Sequence, residues 1–287
     1  MSGAATRTLR LGYSPCPNDA FIFYALAHGL VHDGREPEVR FDIALDDVEA
    51  LNRAADRGEL DVAKVSYHAY GYLADRYVML RAGGALGRGV GPLIVTREAL
   101  DDLAGKSIAI PGGRTTANLL LRLSQPSARL REMRYDRIMP AVAAGEVDAG
   151  LIIHESRFTY PDHGLRCFLD LGTWWEEATG ELVPLGGIVA RRDLGSDLLL
   201  RIQAMLRASL TYAWENPGAT RTYVAQHAQE MDESVRQRHI DLYVNRYSLE
   251  VGPDGVRAAE TLLRRGVEQG LFPPPREPLF LPDVHRT

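Results

Sequence analysis

The segments GELDVAKVSYH (residues 58–68) and GEVDAGLIIHE (residues 145–155) stand 87 residues apart and follow one plan. Each opens on a glycine that closes a helix, continues through a Glu-x-Asp turn, and enters a short apolar run ending in polar side chains. An apolar run of that length, bounded by turn residues and rich in β-branched side chains, is the pattern of a buried strand. Two such strands, each preceded by a helix, point to two α/β units built alike.

Working outward from the first copy, TLRLGYS reads as a strand, followed by a proline-rich turn and the apolar helix DAFIFYALAHGLV. FDIAL (41–45) is a second strand, a helix runs from Asp46 to about Arg57, and YVMLRAGG (77–84) is a strand after the copy itself. The pattern restarts after Glu98: KSIAIP as strand, GGRTT as turn, ANLLLRL as helix, REMRY as strand, DRIMPAVAAGEV as helix and DAGLIIH as strand. LRCFLDLG (165–172), TWWEEATG and PLGGIVARRDLG (184–195) then lead into three helical segments. Alternating strands and helices predict mainly parallel sheets. GGALGRGVGP (83–92) is glycine-dense, but an apolar strand-like run follows it where a dinucleotide motif requires a helix. It is read as a crossing between lobes or a loop close to a ligand, and two crossings are expected, near residues 88–96 and 184–190. If PLGGIVA returns the chain to the first sheet, residues 1–95 with 188–287 form a larger α/β lobe carrying the C-terminal helices, and residues 96–187 form a smaller one. Ligands of open α/β sheets sit beyond the carboxyl ends of strands, so both copies aim their last residues into the cleft between lobes.

Composition narrows the partners. With 287 residues, 45% apolar, 25% charged and a net charge of -5, the chain suits a soluble two-domain protein with ample core. It shows no basic footprint for nucleic acid, and no protein partner is evident. The N-terminus lacks a secretory pattern and no run is long enough to span a bilayer, which predicts a cytoplasmic protein without membrane attachment. Cys16 and Cys167 are too few for a disulfide framework and lack the spacing of a zinc site. His28 and His32 are spaced i, i+4, but Gly29 and Gly34 mark a helix end and no third ligand is apparent, so no metal is expected. Among 33 basic residues only Lys64 and Lys106 are lysine, which draws attention to Lys64, because a compact ammonium is not replaceable by a guanidinium fork.

His154 ends the strand DAGLIIH of the second copy and suits a general base or acid; the alternative is a histidine satisfied by hydrogen bonds at a strand end. Alternation along a continuing strand would place Ser156 on its side and Glu155 on the other. Lys64 and Ser66, in the first copy, could hold and orient a carboxylate, although a surface lysine is the plainer reading and a Schiff-base lysine is a third, without independent support. Gly112 to Thr116 form a polar strand-to-helix turn: Thr115 and Thr116 could seat an anion at the helix N-terminus or simply cap it, and both can hold. Trp174 and Trp175 either stack on a flat ligand or anchor an aromatic cluster. In SPCPNDAFIFYAL, Pro15 and Pro17 stiffen a turn that presents Ser14 and Asn18 to the cleft, with Asn18 or Asp19 capping the helix. Cys16 has no evident activator in the sequence.

The segments SPCPNDAFIFYAL, KVSYHAYGYL, GGALGRGVGPLIV, YDRIMPAVAAGEVDAGLIIHESRFTY and PLGGIVARRDLG resemble the 1,4-dihydroxy-6-naphthoate synthases of the futalosine route to menaquinone, over nearly the whole chain. That resemblance implies the two-lobed α/β clamp of type II periplasmic binding proteins used as an enzyme. Its substrate would be the carboxylated cyclic dehypoxanthinylfutalosine, and its products 1,4-dihydroxy-6-naphthoate and dihydroxyacetone, with no metal or organic cofactor. It further implies that the histidine of HESRFTY, His154, is the proton acceptor, and that Lys64, Val65, Ser66, Thr115 and Thr116 contact substrate. A Gly-Arg-His-Thr-Thr turn is expected where this chain has Gly112-Gly113-Arg114-Thr115-Thr116. A chorismate dehydratase of the same pathway and a non-catalytic binder of small carboxylates are the alternatives.

Overall fold

A computed structural model describes residues 6–228 and 232–283. Among these, eleven strands build two sheets: β1 (Thr6–Tyr13), β2 (Glu38–Leu45), β3 (Val62–Ser66), β4 (Tyr77–Met79), β5 (Ala85–Gly87), β6 (Leu93–Thr96), β7 (Ser107–Ile110), β8 (Arg129–Glu132), β9 (Ala149–Ile152), β10 (Arg166–Asp170) and β11 (Val183–Arg191). The first sheet has the order β2-β1-β3-β11-β4, with β5 paired to the other end of β11. The second has the order β10-β6-β9-β7-β8. Twelve α-helices accompany them: α1 (Pro17–Ala27), α2 (Val48–Asp56), α3 (Tyr67–Leu73), α4 (Thr116–Ser124), α5 (Tyr135–Ala143), α6 (Ser156–Thr159), α7 (Leu171–Thr179), α8 (Ser196–Glu215), α9 (Pro217–His227), α10 (Glu233–Tyr243), α11 (Arg246–Leu249) and α12 (Gly252–Glu268).

The two copies are β3 and β9, one central in each sheet, and every residue of both strands is buried. The sheets are mixed rather than mainly parallel. β1 runs parallel to β2 and β3, and β7 to β8 and β9, but β11 is antiparallel to β3, β4 and β5, and β6 to β9 and β10. β6 and β11 are the strands by which the chain enters each sheet from the other. They start on the cleft side, where β3 and β9 end, and must therefore run the opposite way.

Other elements differ from expectation at their ends. β8 stops at Glu132 and Tyr135 already opens α5, while the glycine-dense segment contains the three-residue strand β5. Among the described residues, five α-helices rather than three helical segments follow β11. α1 is capped neither by Asn18 nor by Asp19: Cys16 stands at the N-cap and Pro17, whose missing N–H and fixed φ suit the first helical position, begins the helix. Asn18 and Asp19 thereby fall in the first turn, buried. α1 ends at Ala27, so His28 and His32 share no helical face.

One hydrophobic cluster runs through both sheets, joining Val65 and Tyr70 to Ile108, Leu120 and Leu151. At about 1.5–3 kcal/mol per buried large side chain, such packing ties the lobes firmly. The first crossing lies against the β10–α7 turn: Leu171 N–H donates to the Pro92 carbonyl at 3.1 Å, and a Cβ on Gly172 would fall 2.0 Å from the Val90 oxygen, so only glycine allows the approach. Arg157 holds both, donating through Nη1 to the Gly91 carbonyl at 2.9 Å and through Nη2 to the Asp170 carboxylate at 2.6 Å.

Candidate active site

The carboxyl end of β3 and the loop after β9 face a cavity of about 680 Å³, its open mouth included. Ser14, Asn18, Lys64, Val65, Ser66, Thr115, Thr116 and His154 all line it. The sequence picked these eight separately; the fold brings them to one place.

The first wall is organised by Asp19, which the sequence offered only as a cap. Its carboxylate accepts from Lys64 Nζ at 2.8 Å, Ser14 Oγ at 2.7 Å and Asn18 Nδ2 at 2.8 Å. Lys64 also donates to the Gly83 carbonyl at 3.3 Å, and both charged side chains are buried. Lys64 is thus neither a surface lysine nor an unpaired charge. An ammonium has three donors, so one remains for a ligand.

The second wall is the N-terminus of α4. Thr115 caps it, accepting from Asn118 N–H at 3.2 Å, which bears out the capping reading. Thr116 Oγ1 accepts from Tyr67 N–H at 2.9 Å and donates to the Leu185 carbonyl, stitching α4 to the first sheet. Arg114 turns away, ion-paired to Asp56 and lying over Tyr72, so it is absent from the cavity lining.

His154 does not lie on a strand. β9 ends at Ile152, and His154 has φ 57, a left-handed conformation shared by no other non-glycine among the described residues. Such a conformation costs on the order of 1–3 kcal/mol and persists only where surroundings enforce it. Nδ1 lies 3.4 Å from Cys16 Sγ, and the ring meets Tyr135 edge-on at 5.3 Å. Burial pushes the imidazole below its ordinary value, with Glu155 and Asp19 acting against that and Lys64 with it. The ring is therefore an uncharged base at neutral pH. Burial pushes the Cys16 thiol well up, so Cys16 is a thiol in contact with His154 and not a thiolate. If Nδ1–H donates to Sγ, the free lone pair is on Nε2.

Because the strand stops, alternation fails. Glu155 is buried beside His154 instead of facing away, and Ser156 opens α6. Cys16, His154 and Glu155 place donor atoms within 4.8 Å of one another; we read the Sγ–Nδ1 contact as a hydrogen bond. His239 and Tyr243, on α10, complete the lining. They stand far along the chain in a segment without motif character, which hid them. Trp175 belongs to the core, donating to the Leu182 carbonyl at 2.9 Å.

Two α/β lobes with a buried acid–base cavity between them define a clamp of the periplasmic-binding-protein class. The alkanesulfonate-binding protein SsuA of Xanthomonas axonopodis pv. citri shares this fold, with TM-score 0.69 at 17% identity over 94% of this chain and 96% of its own. A protein of Archaeoglobus fulgidus matches more closely, with TM-score 0.87 at 38% identity, covering 92% of this chain and 98% of its own. The menaquinone biosynthesis family model matches residues 9–268. 1,4-Dihydroxy-6-naphthoate synthases of Thermus thermophilus and Streptomyces coelicolor are 52% and 48% identical, covering 95% and 93% of this chain and 99% and 95% of their own lengths. The chain belongs to this menaquinone-biosynthesis family of 1,4-dihydroxy-6-naphthoate synthases, a family of enzymes. Among the described residues, no helix is long and apolar enough to cross a membrane.

Proposed function

We propose that the chain is a cytoplasmic carbon–carbon lyase that converts cyclic dehypoxanthinylfutalosine to 1,4-dihydroxy-6-naphthoate and dihydroxyacetone in the cleft between lobes 1–95 with 188–287 and 96–187. The observation that carries this reading is the uncharged, half-buried His154 in a cavity lined by the seven other candidate residues. His154 takes a proton from the substrate, and the electron pair released breaks the carbon–carbon bond; formation of the aromatic naphthalenediol drives the step. The third donor of Lys64, Ser66 and the N-terminus of α4 hold the carboxylate, where backbone N–H groups and the helix dipole favour an anion. The Val65 backbone and the Ser14–Asn18 turn shape the same wall. Walls from both lobes exclude water from the reacting bond.

Incubating the protein with the cyclic substrate and identifying the products by chromatography and mass tests the reading. A naphthoate product with dihydroxyacetone is expected. Consumption of chorismate instead would identify the dehydratase, and binding without conversion would identify a carboxylate-binding protein. His154→Ala is expected to abolish turnover while leaving ligand binding within a few-fold; wild-type turnover would refute His154 as the base.

A further inference from the structure

Two buried polar atoms beside this cavity, one on the lining residue His239 and one behind it on Glu155, have no hydrogen-bond partner, and they face each other. Glu155 Oε2 and His239 Nδ1 are both unpartnered and lie 3.8 Å apart. The rest of the network fixes which nitrogen of His239 carries hydrogen. Asn18 Nδ2 donates to Asp19, so Asn18 Oδ1 is the acceptor 2.9 Å from His239 Nε2, and Nε2 must be the N–H. An uncharged His239 then turns a lone pair toward Glu155, and an ionised Glu155 turns lone pairs back. Each unpaired group would carry its full desolvation cost, about 1–3 kcal/mol or more for a charged group. One proton between them removes both penalties, with less than a hydrogen-bond length of closure by carboxyl rotation.

We propose that Glu155 and His239 share one proton in the folded protein, forming a pair of net charge zero that acts as a positioning element for His154. The inference rests on the proposed role of His154 as base. Its consequence is electrostatic: an ionised Glu155 raises the His154 imidazole, whereas a neutral pair leaves burial to keep it low and uncharged. Burial, His154 and Lys64 all disfavour a charge on His239, in keeping with a proton held toward the carboxyl oxygen. The groups facing the pair are Cys16 and Asp19 from α1 and the turn before it, Lys64 from β3, Tyr135 from α5, His154 from the loop after β9, and Tyr243, whose ring lies 4.6 Å from that of His239. Of these, Asp19 and Lys64 already neutralise each other.

The test has one arm that does not depend on turnover. In protein carrying ¹⁵N-labelled histidine, with the His239 signals assigned by their loss in His239→Gln, Nδ1 is expected to resonate as a hydrogen-bonded nitrogen at pH 7. It should move to the bare-imine position in Glu155→Ala. A bare-imine Nδ1 in the wild type overturns the proposal. The second arm follows the acid limb of kcat/KM. Glu155→Gln offers an uncharged N–H donor in place of the shared proton, so the limb is expected to stay where the wild type has it. A limb displaced to lower pH by a unit in Glu155→Gln would show that a full negative charge had been removed, and would also overturn the proposal. If no substrate is turned over at all, the proposed reaction fails while the resonance arm still decides the protonation of the pair.

Discussion

Replacing Lys64 with methionine removes the ammonium and keeps most of the side chain's apolar volume. The residue it leaves behind is Asp19, buried, with Ser14 and Asn18 still donating to it. Breaking a buried pair from one side costs about 3–5 kcal/mol, because the remaining charge is desolvated without compensation. The surviving donors place Asp19 near the lower end, about 3 kcal/mol, which is about a hundredfold in the folding equilibrium. In a chain of this size that is a fall in Tm of about 6–10 °C. Urea unfolding and calorimetry on the wild type, Lys64→Met, Asp19→Asn and the double variant close a thermodynamic cycle, in which the coupling should be stabilising by about 2 kcal/mol or more. A Lys64→Met cost below about 1 kcal/mol with coupling near zero would refute the reasoning, and would mean that Lys64 is held for ligand rather than by Asp19.

Gly172→Ala puts a Cβ against the Val90 oxygen and is expected to cost about 3 kcal/mol or more, read as lost soluble yield or Tm. Gly218→Ala, in α9 with no atom within 4 Å of the added Cβ, should change stability by less than about 1 kcal/mol. Cys16→Ser keeps a group able to accept from His154 Nδ1 and should retain activity near wild type, while Cys16→Ala, which removes it, should lower kcat severalfold with KM little changed; equal kcat in both would show that the contact is idle. His68 gives a pH signature: burial lowers its imidazole to about 4, with Arg122 and Arg114 adding to that and the Thr115 carbonyl opposing it. Between the unfolded value near 6.5 and about 4 the unfolded chain binds the extra proton, so stability is fully present above 6.5 and falls as pH drops, by up to about 1.4 kcal/mol per pH unit. His68→Gln should flatten that slope in urea titrations at pH 7 and 5; parallel slopes would contradict it.

The two-lobed fold was legible because a buried strand announces itself locally. The runs at 62–66 and 149–152 are mostly apolar and buried throughout, and their matching flanks revealed the restart. Strand direction was not legible, because β6 and β11 carry the same kind of apolar residues as parallel strands and only the crossings set their sense. The site was readable wherever its residues end a strand or open a helix, as Ser66, Thr115 and Thr116 do. It failed where the argument extended a period past the end of its element. Alternation sent Glu155 outward, and a capping rule made Asp19 a helix accessory, when the ends at Ile152 and Cys16 place both inside. His239 reaches the cavity only through the packing of α10 against α1, a contact between distant segments that no local pattern encodes.

Arg157, three residues before the terminal tyrosine of HESRFTY, grips the first crossing and the β10–α7 turn at once. A guanidinium fastened to the Gly91 carbonyl and the Asp170 carboxylate works as a clasp, closing the segment that leads into β6 against the turn that follows β10. Its grip lies three residues from His154, so it also anchors the chain that carries the left-handed turn at the base.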